Sequence, residues 1–223
     1  KMGMNEEATV LRRRTLELSR TNPKVASERI RHLWEDANLD AAMEEAELSD
    51  KNFPETAEFA RLNACIAATN TKSEWTTERF IDPWIEKSSA LESASSTNEE
   101  VLAKALISFR EDPKSSGQPI RQAMALFQND KTIFQILTYM LGKSQETSGD
   151  MSGAIATYDR MDAQNKTYMS GMTLAIANYR AQDFDRGISE LESILSRKAT
   201  TNGLYLYGRM LLEGDEKFVY GLQ

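Results

Sequence analysis

The sequence predicts an all-α protein, and three observations lead to this prediction. The 223-residue chain holds only 11 Gly and 5 Pro, a scarcity that favours long helices over turn-rich strands. Apolar residues recur at helical spacing along most of the chain, and sustained alternation of period two is absent. Helix starts are also recognisable, because Asn22-Pro23 is typical of an N-cap followed by Pro in the first turn.

Taken in order, the helical periodicity, the capping residues and the prolines divide the chain into about thirteen helices. Thr71–Glu74 and Thr97–Glu100 fit the capping box, in which a hydroxyl and a carboxylate satisfy opposite backbone N–H groups. Pro54 and Pro119 are expected to open helices, and Pro83 is expected to kink or break the helix that contains it. The predicted helices are 5–19, 23–36, 39–49, 55–70, 73–91, 98–110, 119–129, 131–148, 151–163, 166–181, 183–197, 201–213 and 216 onward.

Charge and composition exclude several classes of function. The formal net charge of −7 disfavours binding to nucleic acid, because phosphate backbones repel an acidic protein. No apolar run approaches the ~18 residues that a membrane span needs, and no signal peptide is visible. The expected compartment is the cytoplasm, although a chain cut from a longer protein could lack its targeting segment. The chain stops at Gln223 within a repeating pattern, which leaves open that it belongs to a longer protein.

An internal repeat of about 33 residues organises the C-terminal half. The clearest copy contains Leu141-Gly142, Gly149-Asp150, Ala154-Ile155 and Tyr158. A second copy contains Leu174-Ala175, Tyr179, residues 183–188 and Leu191. A third has Leu206 and Gly214-Asp215, and a weaker N-terminal copy has Trp34, residues 39–43 and Pro54. This pattern resembles the tetratricopeptide repeat (TPR), a helix–turn–helix unit of about 34 residues.

The resemblance implies a right-handed superhelix of stacked antiparallel helix pairs, that is, an α-solenoid. It covers residues 135–215 best, and the chain is divided into degenerate N-terminal hairpins at 1–97 and TPR-like repeats at 98–223. Small residues give room where two helices touch closely; these are Gly142, Ala154, Ala175 and Gly187. The signature Trp is replaced by Thr138 and Gly171, and the closing Pro by Lys166 and Ala199. A separate N-terminal helical bundle remains an alternative.

Residues that could carry chemistry are few, and we expect neither catalysis nor a cofactor. Gly142-Lys143-Ser144 lacks the upstream Gly and the preceding strand of a phosphate-binding loop. His32 is the only histidine and Cys65 the only cysteine, so a zinc site of the usual ligands is nearly excluded. Cys65 lies in an apolar stretch and is expected to be a buried, structural thiol.

The function expected from this resemblance is that of a protein-interaction scaffold or adaptor. In the family a concave groove lined by first helices receives a peptide or a helix of a partner. The matching positions include Ile136 and Glu146, and the partner-binding residues predicted among them are Tyr139, Lys143, Met169, Met172, Ile176, Tyr179 and Arg180. The lining is apolar and rich in Met, which favours a hydrophobic strand or helix as ligand.

Two alternatives stay open. The chain could be a structural subunit of a larger assembly, with self-association through its C-terminal end, since an uncapped repeat favours stacking. It could also be the non-catalytic helical part of a longer enzyme.

Overall fold

The structure, a computed structural model, is all-α. It describes residue 10 and residues 14–70, 76–91, 96–165 and 167–220. About 84% of it is helical and the described residues contain no strand, which confirms the all-α part of the predicted fold class. A short helical segment at 14–19 comes first. The helices that follow are α1 (Pro23–Glu35), α2 (Leu39–Asn52), α3 (Ala57–Thr69), α4 (Thr77–Phe80), α5 (Asp82–Leu91), α6 (Ser96–Glu111), α7 (Gly117–Leu126), α8 (Lys131–Ser148), α9 (Met151–Asn165), α10 (Tyr168–Arg180), α11 (Phe184–Arg197) and α12 (Thr201–Tyr220).

Helices that follow one another along the chain pack against each other. The most extensive contacts join α1 to α2, α6 to α7, α8 to α9 and α10 to α11. Each of these pairs is connected by a short segment, so the two helices of a pair form a hairpin. The arrangement in adjacent pairs is compatible with a helical repeat.

Two of the predicted helix ends are built as the sequence indicates. The side chain of Asn22 caps α1 by accepting bonds from the backbone N–H of Lys24 (3.0 Å) and Val25 (3.4 Å), and Pro23 occupies the first helical position. Gly149 ends α8 with φ of 90°, a conformation that favours glycine. Its turn is closed by the N–H of Asp150, which donates to the carbonyl of Gln145 at 2.9 Å.

Several predicted boundaries near proline are shifted. Pro54 lies in the turn before α3, which begins only at Ala57, and α7 begins at Gly117, two residues before Pro119. The break expected at Pro83 falls just ahead of it, between Phe80 and Asp82. Pro disfavours helical backbone in the residue before it and has no N–H to donate. It is therefore tolerated in the first turn of a helix but does not fix the residue at which the helix begins.

The two predicted capping boxes have different outcomes. The box at Thr97–Glu100 is wrong, because α6 already begins at Ser96 and Thr97 lies inside the helix. The box at Thr71–Glu74 lies outside the described residues.

The predicted turn at Gly214-Asp215 is also wrong. The structure continues α12 from Thr201 to Tyr220 without interruption, so no second helix starts at 216. A glycine inside a helix costs only about 1 kcal/mol, and Gly214 lies close to Phe184, whose Cβ would be 3.6 Å from an added methyl group. The packing of α12 on α11 therefore outweighs a weak local breaker.

The core of the N-terminal part is centred on α3. This helix is buried on nearly all sides and contacts α2, α5, α6 and α8, as expected for a helix that is apolar all round. Cys65 is fully buried within it, and burial raises the pKa of its thiol. The prediction of a buried thiol is therefore confirmed. The Arg61–Glu99 ion pair (2.9 Å) ties α3 to α6.

Residues near the start of the chain meet the repeat region directly. The ring of Trp34, at the end of α1, packs edge-on against Tyr139 of α8, with ring centroids 5.9 Å apart. Helix α1 also contacts α10, and Asp36 pairs with Lys198 at 3.3 Å. One cluster of buried residues runs from Ala26 to Met169, so α1 closes over the side of the hairpin array.

Candidate functional site

The tight packing of α8 on α9 positions one wall of the candidate site. A Cβ atom on Gly142 would overlap Cε1 of Tyr158, so the ring of Tyr158 occupies the space that a side chain would need. Tyr158 is fully buried and belongs to one buried cluster with Leu174 and Ala177 of α10 in the next hairpin. The small and large residues of the repeat thus fix α8, α9 and α10 against each other.

A groove of about 320 Å³ opens beside this junction. Its walls come from the end of α3, from α6 and the turn after it, from α8, and from the last residue of α10. Hereafter "the groove" means the cavity lined by Ala68, Thr69, Phe109, Arg110, Pro113, Tyr139, Lys143, Glu146, Thr147 and Arg180.

A charge cluster occupies the groove. The carboxylate of Glu146 is only 4% exposed and accepts bonds from Nζ of Lys143, at 3.2 and 3.1 Å, and from the guanidinium of Arg180. Arg110 donates to the backbone carbonyl of Asn70. The groove therefore carries three cationic side chains and one carboxylate, an excess of positive charge in a protein whose formal net charge is −7.

Burial perturbs the titration of two side chains in the groove. It lowers the pKa of Lys143, although the neighbouring Glu146 carboxylate acts in the opposite direction. It also raises the pKa of Tyr139 to about 12, and the charge of Glu146 adds to the increase. The ammonium of Lys143 lies 5.9 Å from the ring centroid of Tyr139 and 5.8 Å from that of Tyr158, within the range of cation–π attraction. An anionic group entering the groove would meet one cation, Lys143, whose hydration is already reduced.

The structure brings some of the predicted partner-binding residues together and separates others. Tyr139, Lys143 and Arg180 line the groove, and Arg180 is the most open of them, with a side chain 52% exposed. Met169 is only 8% exposed and belongs to the main core. Ile136, at a matching position in the first copy, is fully buried.

The other predicted residues lie further along α10. Met172 and Tyr179 are half-buried and pack against the cluster of Ala175, Leu191, Ile194 and Met210. The hydroxyl of Tyr179 donates to Glu213 of α12 at 2.9 Å. Ile176 is half-buried and does not line the groove. The predicted set thus contributes to the groove and to the junction of α10 with α12.

Sequence reasoning missed the contribution of the helices before the repeats. Phe109, Arg110 and Pro113 come from α6 and the turn after it, and Ala68 and Thr69 from α3. No repeat motif marks these positions, and they reach the groove only because α3 contacts both α6 and α8. The guanidinium of Arg110 reaches Asn70, forty residues away, and no local pattern signals such a contact.

The pKa of Tyr139 gives a prediction about alkaline stability. The folded protein holds this proton up to about pH 12, while an unfolded chain releases it near pH 10. The contribution of Tyr139 is therefore fully present below pH 10 and is lost as pH rises from 10 to 12, by about 1.4 kcal/mol per pH unit. Urea unfolding at pH 9, 10 and 11 measures this slope.

Two phenylalanine variants separate Tyr139 from the other titrating groups. In Tyr139→Phe the decline in the free energy of unfolding above pH 10 is expected to be shallower by that amount. The same substitution at Tyr205, which is 68% exposed, should leave the slope unchanged. Equal slopes in the wild type and Tyr139→Phe would mean that Tyr139 titrates normally.

Other parts of the described structure offer less for chemistry. A cavity of about 500 Å³ lies between α1 and the α10–α11 hairpin, bordered by His32, Asp36, Tyr168 and Lys198 among others. His32 is largely exposed and lies 3.2 Å from Glu35. The described residues contain no cluster of three His, Cys, Asp or Glu side chains placed to hold a metal ion. None of the described helices combines the length and apolarity that crossing a membrane requires.

Comparison with models of known protein families, and with the sequences of curated proteins, gives no match to this chain. The fold and groove define an all-helical protein of paired helices with a positively charged concavity.

Proposed function

We propose that this protein is a TPR-like α-solenoid scaffold that binds a segment of a partner protein in the groove. The observation that carries the proposal is the groove itself, where apolar side chains from α3 and α6 lie beside cations from α6, α8 and α10. Interaction surfaces of this kind combine an apolar anchor site with polar contacts at its rim. The proposed role is binding and not catalysis.

The charges favour one kind of ligand segment. Lys143 and Arg180 share the single carboxylate of Glu146, so a second carboxylate could pair with Arg180 at the open side of the groove. The volume of about 320 Å³ accommodates one or two side chains. We therefore propose a segment with an acidic side chain next to an apolar one, which refines the expectation of a purely hydrophobic ligand.

The repeat arrangement supports the solenoid part of the proposal. Gly142 and Ala175 occupy matching positions 33 residues apart in α8 and α10. Both are fully packed, Gly142 against Tyr158 of α9 and Ala175 in a cluster with Leu191 of α11. Equivalent small residues facing the second helix of consecutive hairpins are what a stacked repeat requires.

A peptide-display experiment tests the proposal with random sequences in place of a chosen partner. Immobilised wild-type protein is used to select binders from a library of random twelve-residue peptides, and the selected peptides are measured by fluorescence anisotropy. We expect peptides with an acidic residue beside an apolar one. Binding to Arg180→Glu should be at least tenfold weaker, since losing a charge-assisted bond costs about 1.5–3 kcal/mol.

The matched control is Arg121→Glu, the same charge change at an exposed residue of α7 that does not line the groove. In a buffer whose salt screens the change in net charge, this variant should bind the selected peptides within about twofold of the wild type. Selected peptides that bind Arg180→Glu as tightly as the wild type would place the interaction elsewhere. A selection that yields no binders would contradict the proposed function.

A further inference from the structure

Helix α12 is apolar on two opposite faces, and only one of them is covered. Gly203 and the fully buried Met210 lie on the face packed against α11. On the other face, Leu204, Tyr205, Leu211 and Leu212 are 54%, 68%, 40% and 70% exposed. Residues at this spacing fall within one stripe of the helix surface. We call Leu204, Tyr205, Gly208, Leu211 and Leu212 the α12 strip.

The repeat shows what kind of surface the α12 strip is. Gly208 lies 33 residues after Ala175 and 66 after Gly142. The packing supports this register over the step of 32 that Leu206 implied, because Met210 packs with the preceding helix as Ala177 does 33 residues earlier. Gly208 therefore occupies the corresponding position in α12. At Gly142 the space beside the backbone is filled by Tyr158 of α9, but a Cβ on Gly208 would have no atom within 4 Å. In each of the two preceding hairpins, the second helix packs on the face of the first helix that corresponds to the α12 strip. On α12 this face is open.

The order of residues along the α12 strip indicates which helix fits it. Counted from Gly208, the large apolar residues stand at −4, −3, +3 and +4. An antiparallel copy of the same helix, related by a two-fold axis through Gly208, would place Leu204 opposite Leu212 and Tyr205 opposite Leu211. A residue without a side chain at the centre lets the two backbones approach closely. An isologous contact requires such self-complementarity.

We propose that the α12 strip is an interface through which a second copy of this chain binds, α12 against α12 in antiparallel orientation. Between Thr201 and Leu212 the only charged residue is Arg209, which pairs with Glu213 of its own helix at 2.8 Å. The contact therefore brings no unpaired like charges of this segment together.

The area of the α12 strip indicates how stable the proposed dimer is. A fully exposed leucine or tyrosine side chain offers on the order of 200 Å², so the observed exposures correspond to about 450 Å² per copy. A dimer would bury about 900 Å², which is below the 1,200–2,000 Å² of stable interfaces and in the range of transient ones. The dimer is weak and concentration-dependent.

Sedimentation velocity of the purified chain from about 5 to 500 µM tests the interface. The wild type should shift from monomer to dimer across this range. Leu212→Glu should remain monomeric at every concentration, because an unpaired carboxylate would be buried in the contact. Leu126→Glu is the matched control at a leucine of α7 that is 45% exposed, and it should dimerise like the wild type.

The proposal is overturned if the wild type stays monomeric at 500 µM, or if Leu212→Glu dimerises as the wild type does. Circular dichroism of each variant confirms that the helical content is retained. If the protein dimerises through another surface, Leu212→Glu will dimerise as the wild type does. If the α12 strip binds a different chain, the wild type will stay monomeric.

A cysteine at the centre tests the orientation. Cys65 is the only native cysteine and is fully buried, so the new thiol in Gly208→Cys is the reactive one. The two-fold axis places the two new thiols opposite each other, within reach of a disulfide. Mild oxidation should give a covalent dimer of Gly208→Cys and none of Leu126→Cys. Equal cross-linking of both variants, or of neither, would contradict the antiparallel two-fold arrangement.

Discussion

Replacing Trp34 by alanine is expected to lower the free energy of unfolding by about 3–5 kcal/mol, the range for truncating a fully buried aromatic side chain. Trp34 has no exposed surface and lies edge-on to Tyr139, so its loss leaves a cavity between α1 and α8. Because α1 also contacts α10, the substitution should weaken the attachment of α1 to the repeats. Urea unfolding followed by circular dichroism measures the change.

Trp84 provides the comparison for this variant. It is only half-buried and packs at the edge of the same core, so Trp84→Ala should cost clearly less than Trp34→Ala. Hydrogen exchange adds a local measurement, in which amides of α1 should exchange faster in Trp34→Ala while those of α11 change little. Equal losses in the two variants would show that Trp34 does not hold α1 in place.

The second large effect is expected from adding a single methyl group to Gly142. In Gly142→Ala the new Cβ would overlap Cε1 of Tyr158, and Tyr158 is fully buried and unable to move aside freely. Overpacking of this kind costs about 1–3 kcal/mol or more, which exceeds the gain of about 1 kcal/mol in helix propensity. The overlap would be as close as 2.1 Å, so the cost should lie near the upper end of this range. We therefore expect a net loss of about 2 kcal/mol, with α9 displaced slightly from α8.

Gly208→Ala is the matched control, because it makes the same change at the equivalent position of α12, where the surroundings are open. At concentrations low enough for the monomer, helix propensity alone should raise the free energy of unfolding by about 0.5–1 kcal/mol. Thermal unfolding of the two variants should therefore shift in opposite directions. A stabilised Gly142→Ala would contradict the close packing of α8 on α9.

The groove shows how far local patterns reach. The resemblance to the repeat family implied that Tyr139, Lys143 and Glu146 line one groove, and all three lie in the groove of the structure. The resemblance implied the same for Met169, which lies in the core. Spacing identifies which residues share a face of a helix, whereas the neighbours of that face are set by contacts between distant segments.

The sequence by itself determined the helical class, the pairing of helices, the cap at Asn22, the turn at Gly149 and the positions of small residues such as Gly142. These features depend on backbone preferences and on residues a few positions apart, which any window of the chain contains. Only the tertiary structure decided that Trp34 meets Tyr139, that Arg110 enters the groove, and that α12 continues past Gly214. Each of these depends on burial against residues far away in sequence, and burial outweighs the weaker local preferences.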